Sequence, residues 1–138
     1  MSYKIIGKYI KKLNFNIPNP KTFFLLSKDI SNYKINIDIK SNQFKEKLVE
    51  IETSLRLKTS NDAQEKIDAE IVYSSIVELN GDMSNKKELE EIILIKVPNE
   101  VYPEIRKTFI FLFEQSGFKD IKIDENVDFK KLYKEKIN

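Results

Sequence analysis

The sequence contains no cysteine and no histidine. Without cysteine there is no disulfide framework, no thiolate metal site and no thiol nucleophile. Without histidine the chain lacks the side chain that most often acts as a general base near neutral pH. Its three glycines are scattered, at Gly7, Gly81 and Gly117, which excludes a glycine-rich phosphate-binding loop. These absences argue against the common enzyme classes, and we expect a protein without a cofactor.

Long apolar runs are also missing. The N-terminal residues lack the apolar stretch of a signal peptide, and no segment approaches the ~20 apolar residues of a membrane-spanning helix. The chain also lacks a large excess of charge of one sign, because it has 24 Lys and Arg and 22 Asp and Glu, for a net charge of +2. Such a balance gives no electrostatic case for nucleic-acid binding. We therefore expect a soluble cytoplasmic protein without membrane insertion.

The chain does have the length and composition of one globular domain. Its 138 residues are 41 % hydrophobic and 33 % charged, which is enough to form a core. We expect a single domain over residues 1–138.

Apolar and polar residues alternate along four segments of the first half. Alternation with period two is typical of strands that have one face on a core and the other in water. The inward members are predicted to be Leu13, Phe15, Ile17; Tyr33, Ile35, Ile37, Ile39; Val49, Ile51, Thr53, Leu55, Leu57; and Ile67, Ala69, Ile71, Tyr73, Val77. Together they predict an antiparallel sheet with one solvated face.

The connections between these strands differ in length. A short turn is predicted at Ser41–Gln43, and the polar stretch Thr59–Glu65 joins the last two strands. The first connection is much longer, which indicates a crossover loop. It contains four consecutive apolar residues, which we interpret as a lip over a groove, with ordinary core filling as the alternative. They are Phe23, Phe24, Leu25 and Leu26.

The second half predicts helices. Ser84 is a candidate N-cap for a short helix, Lys87–Lys96, which Pro98 would end. A longer helix follows over Asn99–Ser116, and an amphipathic helix over Asp128–Lys136 closes the chain.

The long helix carries more apolar surface than one sheet can cover. Phe109–Phe113 is apolar almost all round, whereas a helix on one sheet needs a single apolar stripe. The additional cover would come from another subunit or a ligand, and the alternative is again core filling.

Four local strings, in order along nearly the whole chain, resemble the SecB protein-export chaperone family. Lys8–Pro20 is similar to its N-terminal motif, and Ala69–Val77 to its fourth strand. Val97–Arg106 resembles Cys-Pro-x-x-Leu-Phe-Pro-x-Ala-Arg, and Asn126–Tyr133 resembles Pro-Val-x-Phe-x-x-Leu-Tyr.

This resemblance implies a fold, an assembly and an activity. The fold would be α+β, with a four-stranded antiparallel sheet, a long crossover loop and C-terminal helices packed on one face. The chain would form a homotetramer, a dimer of dimers. It would be an ATP-independent holdase that binds unfolded preproteins in apolar grooves and delivers them to the SecA motor.

The resemblance also implies site residues. The substrate groove would contain Phe23, Phe24, Leu25, Leu26, Tyr102, Phe109 and Phe113. The acidic SecA-facing surface would contain Asp68, Glu70, Glu50 and Glu52, and the subunit interface Ala69, Ile71 and Tyr73.

The chain departs from the family pattern at several positions. Lys12 and Asn16 stand where the family commonly has acidic residues, and Ser74 and Ser75 replace its usual glycine pair. The loss of two negative charges would weaken docking of a basic partner.

Three alternatives to the export chaperone stay open. The first is a SecB-like chaperone that serves other clients, for example an antitoxin, and does not dock on SecA. The second is a structural oligomer without a client groove. The third, an enzyme that uses the carboxylates of the strands, is the least favoured because these residues fall on the solvated face.

Overall fold

The computed structural model describes residues 1–29, 33–58, 67–119 and 121–137. In chain order the elements are β1 (Ser2–Asn16), α1 (Pro20–Asp29), β2 (Lys34–Lys45), β3 (Leu48–Lys58), β4 (Asp68–Asn80), α2 (Lys86–Glu91), a π-helical segment (Ile92–Lys96), α3 (Val97–Gln115) and α4 (Phe129–Ile137). The predicted α+β class is confirmed. The predicted connection Thr59–Glu65 lies outside the described residues.

The four strands form one antiparallel sheet in the order β1-β4-β3-β2. The chain therefore crosses from one edge of the sheet to the other between β1 and β2. Strand β2 is longer than predicted. It continues through Ser41–Gln43 to Lys45, and the turn lies at Glu46 and Lys47, where Lys47 adopts a φ of 64°.

Strand β1 also begins much earlier than the alternation indicated. Its pairing with β4 shifts register between Ile5 and Gly7 and again between Ile10 and Lys12. Each bulge adds one residue and breaks the period of two. The alternation can therefore be followed only after the second bulge, from Leu13 onward.

The predicted crossover is confirmed by the strand order, but Pro20–Asp29 within it form helix α1 and not a loop. Helix α1 begins at Pro20, whose fixed φ and missing N–H suit a first helical position. The side-chain oxygen of Asn19 accepts the backbone N–H of Thr22 at 2.8 Å, as an N-cap does. The Asn-Pro pair was the sequence signal for this helix. One face of α1 is buried through Thr22 and Leu26.

The cap of α2 also differs from the prediction. Asn85, not Ser84, caps this helix, and its side-chain oxygen accepts the backbone N–H of Glu88 at 3.2 Å. The Ser84 hydroxyl instead donates to Asp82 at 2.7 Å. Because the Ser84 hydroxyl is already hydrogen-bonded to Asp82, the cap of the helix is the next residue, Asn85.

Pro98 does not end the helix before it. The chain runs from α2 through the π-helical segment directly into α3, and Pro98 lies in the first turn of α3. In the π segment the Val97 N–H donates to the Ile92 carbonyl, five residues back. This wider turn changes the hydrogen-bond pattern just before the position where Pro98 lacks a donor. At its other end α3 gives way to Gly117, with a φ of +92°, a position typical of a helix terminator.

Helix α3 packs against β3 and β4 and forms the centre of the core. Phe109 and Phe113 are completely buried, in edge-to-face contact at 5.2 Å. The apolar sides of the strands meet them through Leu55 and Ile71. The opposite face of the sheet carries the polar residues and is described below.

Candidate functional site

A groove runs along strand β2, between this strand and the helices. It comprises a larger cavity of about 350 Å³ and a smaller cavity of about 20 Å³. Ile37 lines both cavities, so they lie next to each other along β2, and we call the two together the β2 groove. The larger cavity is lined by Tyr33, Lys34, Ile35, Ile37, Tyr102, Lys122, Ile123, Asp124 and Val127. The smaller cavity is lined by Ile37, Ile39, Leu94, Leu132 and Tyr133.

Strand β2 forms the floor of the β2 groove, because its apolar side chains alternate toward the helices and it lies at the edge of the sheet. Ile35, Ile37 and Ile39 point toward the helices but remain only partly buried. Within the described sheet, β2 pairs with β3 on one side and is the last strand on the other. Apolar side chains therefore lie directly beside an open strand edge, whose unpaired backbone groups can pair with another extended chain.

In the larger cavity, the wall opposite β2 is the connection between α3 and α4. It is held by two side chains of α3. The Tyr102 hydroxyl donates to the Asp124 carbonyl at 2.6 Å, and Arg106 Nε donates to the Ile123 carbonyl at 2.9 Å. Burial raises the pKa of Tyr102, so its hydroxyl remains a protonated donor at neutral pH. The Tyr102 ring also packs edge-to-face on Phe129, at 5.9 Å.

The predicted groove residues divide into buried and exposed sets. Leu26, Phe109 and Phe113 are core residues, so they do not line an open groove as predicted. The fold of the single chain thus buries Leu26, Phe109 and Phe113 but leaves Phe111 exposed. Tyr102 does line the β2 groove, while Phe24 and Leu25 are 62 % and 49 % exposed on the outside of α1.

Phe23 takes a third position. It is partly buried, and its ring lies 5.0 Å from that of Phe118, in the connection that follows α3. Its contacts are with the chain itself, so it joins α1 to the core. The groove residues that sequence reasoning missed are mainly the isoleucines of β2. Their alternation was visible, but nothing in the sequence marked β2 as an edge strand.

The predicted subunit contacts are also placed differently by the fold. Ala69 and Ile71 are buried inside this single chain, and their side chains offer no surface to another. Tyr73 is partly buried, and its hydroxyl donates to Glu104 of α3 at 2.7 Å. Large apolar side chains are instead exposed along β1 and on α3. They are Ile6, Ile10, Leu13 and Phe111.

The predicted acidic surface lies on the polar face of the sheet but is paired with lysines. Lys11 Nζ lies 3.0 Å from a Glu50 oxygen and 2.9 Å from a Glu52 oxygen. Lys12 Nζ lies 3.3 Å from a Glu70 oxygen. The second bulge of β1 places both consecutive lysines on this face. Three of the four predicted carboxylates thus have a cation of the same chain beside them. The fourth, Asp68, is exposed and forms no ion pair with another described residue.

Glu50 is the best-connected of these carboxylates. It accepts hydrogen bonds from the Ser74 hydroxyl at 2.6 Å, from the Tyr9 hydroxyl and from Lys11. These bonds, that of Ser74 first, lower the pKa of Glu50 to about 2. Ser74 therefore has a defined role that a glycine at this position could not fill. Ser75 points to the helix side, and its buried hydroxyl has no partner within the described ranges.

The lowered pKa of Glu50 predicts a loss of stability in acid. Its folded-state pKa of about 2 lies below the ordinary 4.5, so its contribution is complete above pH 4.5 and is lost as the pH falls through 2. Glu50→Gln is expected to lower the free energy of unfolding at pH 7 and to flatten its pH dependence between 4.5 and 2. Urea unfolding across this range measures both, with Glu46→Gln in the hairpin turn as the control. Equal pH slopes for the wild type and Glu50→Gln would contradict the assignment.

The described residues contain no group of three or more His, Cys, Asp or Glu side chains placed to hold a metal ion. None of the helices that the structure describes is long and apolar enough to cross a membrane.

Comparison with known proteins decides the family. A family model described as "Preprotein translocase subunit SecB" matches residues 1–138. The chain belongs to the SecB family. The resemblance seen in the sequence is thereby confirmed.

Individual SecB relatives agree with this assignment. A SecB-named protein of Pelagibacter ubique is 40 % identical over 137 residues, which cover 99 % of this chain and 98 % of the relative. The "Protein-export protein SecB" of Rhodospirillum rubrum is 25 % identical over 133 residues, covering 96 % and 81 %. Protein export and chaperone activity are thus the broad functions associated with the family.

A solved SecB-like structure shows the same fold. It is a Mycobacterium tuberculosis SecB-like chaperone in complex with a ChAD peptide from the HigA1 antitoxin. The two folds match with a TM-score of 0.64 and 14 % identity, over 88 % of this chain and 89 % of the other. The predicted SecB-like fold is confirmed.

Proposed function

We propose that this protein is an ATP-independent holdase that binds unfolded preproteins in the β2 groove and keeps them competent for translocation. The observation that carries the proposal is the position of apolar side chains beside an open strand edge. Membership in the SecB family supports the choice of unfolded chains as the ligand.

The β2 groove suits clients of many sequences. An extended client segment would add to β2 as a further strand, with backbone hydrogen bonds that every sequence can make. Its alternate side chains would enter the groove over Ile35, Ile37 and Ile39. Burial of apolar surface is worth about 25 cal/mol per Å² and has no directional requirement. Client folding would be delayed by mass action, because the chaperone binds only the unfolded state.

The proposal includes a second apolar contact on α1. Phe24 and Leu25 expose their side chains on the crossover, where the sequence predicted a lip for the client. Because large apolar side chains at the surface often mark an interaction site, we retain these two as client contacts.

We also propose that the protein is cytoplasmic and assembles as a homotetramer, a dimer of dimers. The exposed Ile6, Ile10 and Leu13 of edge strand β1 and the comparably open Phe111 of α3 support self-association through these surfaces. Ala69 and Ile71 would contribute only indirectly to this assembly, because they lie in the core and support the sheet.

Delivery to SecA completes the primary proposal, with Asp68 and Glu70 and their neighbours Glu50 and Glu52 as the docking surface. The lysine pairs of the polar face favour a second candidate, a SecB-family chaperone with other clients that docks weakly or not at all on SecA. Lys11 and Lys12 already form ion pairs with three of these carboxylates. A basic partner would have to compete with them.

The experiment that tests the holdase is a matched pair of substitutions in β2. Ile37→Asp places a charge in the middle of the groove, and Asn36→Asp places the same charge on the opposite face of the same strand. We expect Ile37→Asp to weaken binding of a labelled unfolded preprotein by about tenfold or more, and Asn36→Asp to leave it within about twofold. Thermal unfolding checks that both variants fold, and Ile37→Ser is a milder substitute. Equal affinities for the two variants, or no binding by the wild type, would refute the proposal.

A further inference from the structure

Tyr102 and Arg106 lie one helical turn apart on α3 and contact successive residues of the same connection. They are four residues apart, so they share a face of the helix. Tyr102 donates to the Asp124 carbonyl and Arg106 to that of Ile123. Both belong to the string Val97–Arg106 that is similar to the family signature.

The connection between α3 and α4 has no regular secondary structure in its described residues 121–128. Ile123 anchors it in the core, while Lys122 and Asp124 on either side are exposed. These three residues line the larger cavity of the β2 groove, opposite Ile35 and Ile37. The width of the groove therefore depends on where this backbone is held.

We infer that Tyr102 and Arg106 are positioning residues that fix the 123–124 backbone as the wall of the β2 groove and thereby set its affinity for clients. This inference rests on the proposed function. A wall held in place before binding spares each client the conformational entropy of ordering it. The bond from Arg106 is charge-assisted, which makes it the stronger of the two.

The test uses variants that remove a hydrogen bond while they preserve packing. Tyr102→Phe removes only the hydroxyl and keeps the ring on Phe129, and Arg106→Gln removes the guanidinium. The control is Tyr73→Phe, which also removes a hydroxyl bonded to α3, but at Glu104, away from the groove. We expect each groove variant to weaken binding of an unfolded preprotein about fivefold, and the double variant by more than about tenfold.

Hydrogen–deuterium exchange provides a readout that does not depend on the client. Backbone amides of residues 121–127 should exchange faster in Tyr102→Phe and Arg106→Gln than in the wild type and in Tyr73→Phe. This second measurement separates the two proposals. If the wild type binds no client, the proposed function fails, while the exchange rates still decide whether the two side chains hold the wall.

Three results would overturn the inference. The first is unchanged client affinity in both groove variants when the wild type binds. The second is an equal loss of affinity in Tyr73→Phe, which would indicate general destabilisation. The third is unchanged exchange over residues 121–127.

Discussion

Replacement of Phe113 by alanine is expected to lower the free energy of unfolding by about 3–5 kcal/mol. The side chain is fully buried, and its ring contacts those of Phe15, Phe109 and Phe118 at 5.0, 5.2 and 6.1 Å. It therefore joins β1, α3 and the connection that follows α3. Because a domain is stable by only about 5–15 kcal/mol, this loss is a large share of the total. Urea unfolding monitored by circular dichroism measures it.

The control for this prediction is Phe44→Ala, near the end of β2. Phe44 is 46 % exposed, so its replacement should change the free energy of unfolding by no more than about 1 kcal/mol. The pair also tests the groove assignment drawn from the sequence. A Phe113→Ala variant that kept its stability but lost client binding would show that Phe113 lines the groove after all.

Removal of both lysines from the polar face is expected to strengthen binding to SecA. In Lys11→Gln/Lys12→Gln the carboxylates of Glu50, Glu52 and Glu70 lose their internal cations. A basic segment of the partner could then approach them without competition. We expect about tenfold tighter binding at low salt, with the gain shrinking as ionic strength rises. Titration of SecA against the double variant at several salt concentrations measures both effects.

A matched control removes two positive charges elsewhere. Lys87→Gln/Lys107→Gln, with one exposed lysine on α2 and one on α3, changes the net charge equally but leaves the three ion pairs of the polar face intact. It should alter the affinity for SecA much less than the first double variant. If the wild type already binds SecA tightly and neither variant changes the affinity, the carboxylates are not the docking surface or their lysines do not compete. Both the docking assignment and the argument for a SecA-independent chaperone would then need revision.

The sequence predicts the sheet better than it predicts the site. The alternation in β3 and β4 is unbroken because both strands are interior and have one face under α3, so most of their inward residues were identified correctly. In β1 the bulges near Gly7 and Lys12 interrupt the alternation, and the first half of the strand was missed. The four consecutive apolar residues of the crossover do not show the spacing of one helix face, and the Asn-Pro start is the local signal for helix α1.

The site depends on facts that no local pattern contains. Whether Phe109 faces a groove or the core is decided by what the rest of the chain places against it. The importance of Ile37 arises only because β2 is the edge strand, which is set by the strand order. The pairing of Lys11 with Glu50 joins residues 39 positions apart. Composition and periodicity report which residues can be buried, whereas strand order and register determine where the open surface remains.

The bulge at Ile10–Lys12 determines the charge of the polar face of the sheet, which the amino-acid composition alone does not reveal. In a regular strand Lys11 and Lys12 would point to opposite faces, and one of them would be taken away from the carboxylates. The extra residue directs both to the same face. Deletion of Ile10 would remove the extra residue and turn one of the two lysines away from the carboxylates, which would leave this face more acidic. In this chain the charge of the polar face can therefore be changed by the length of edge strand β1 alone, without the exchange of any charged residue.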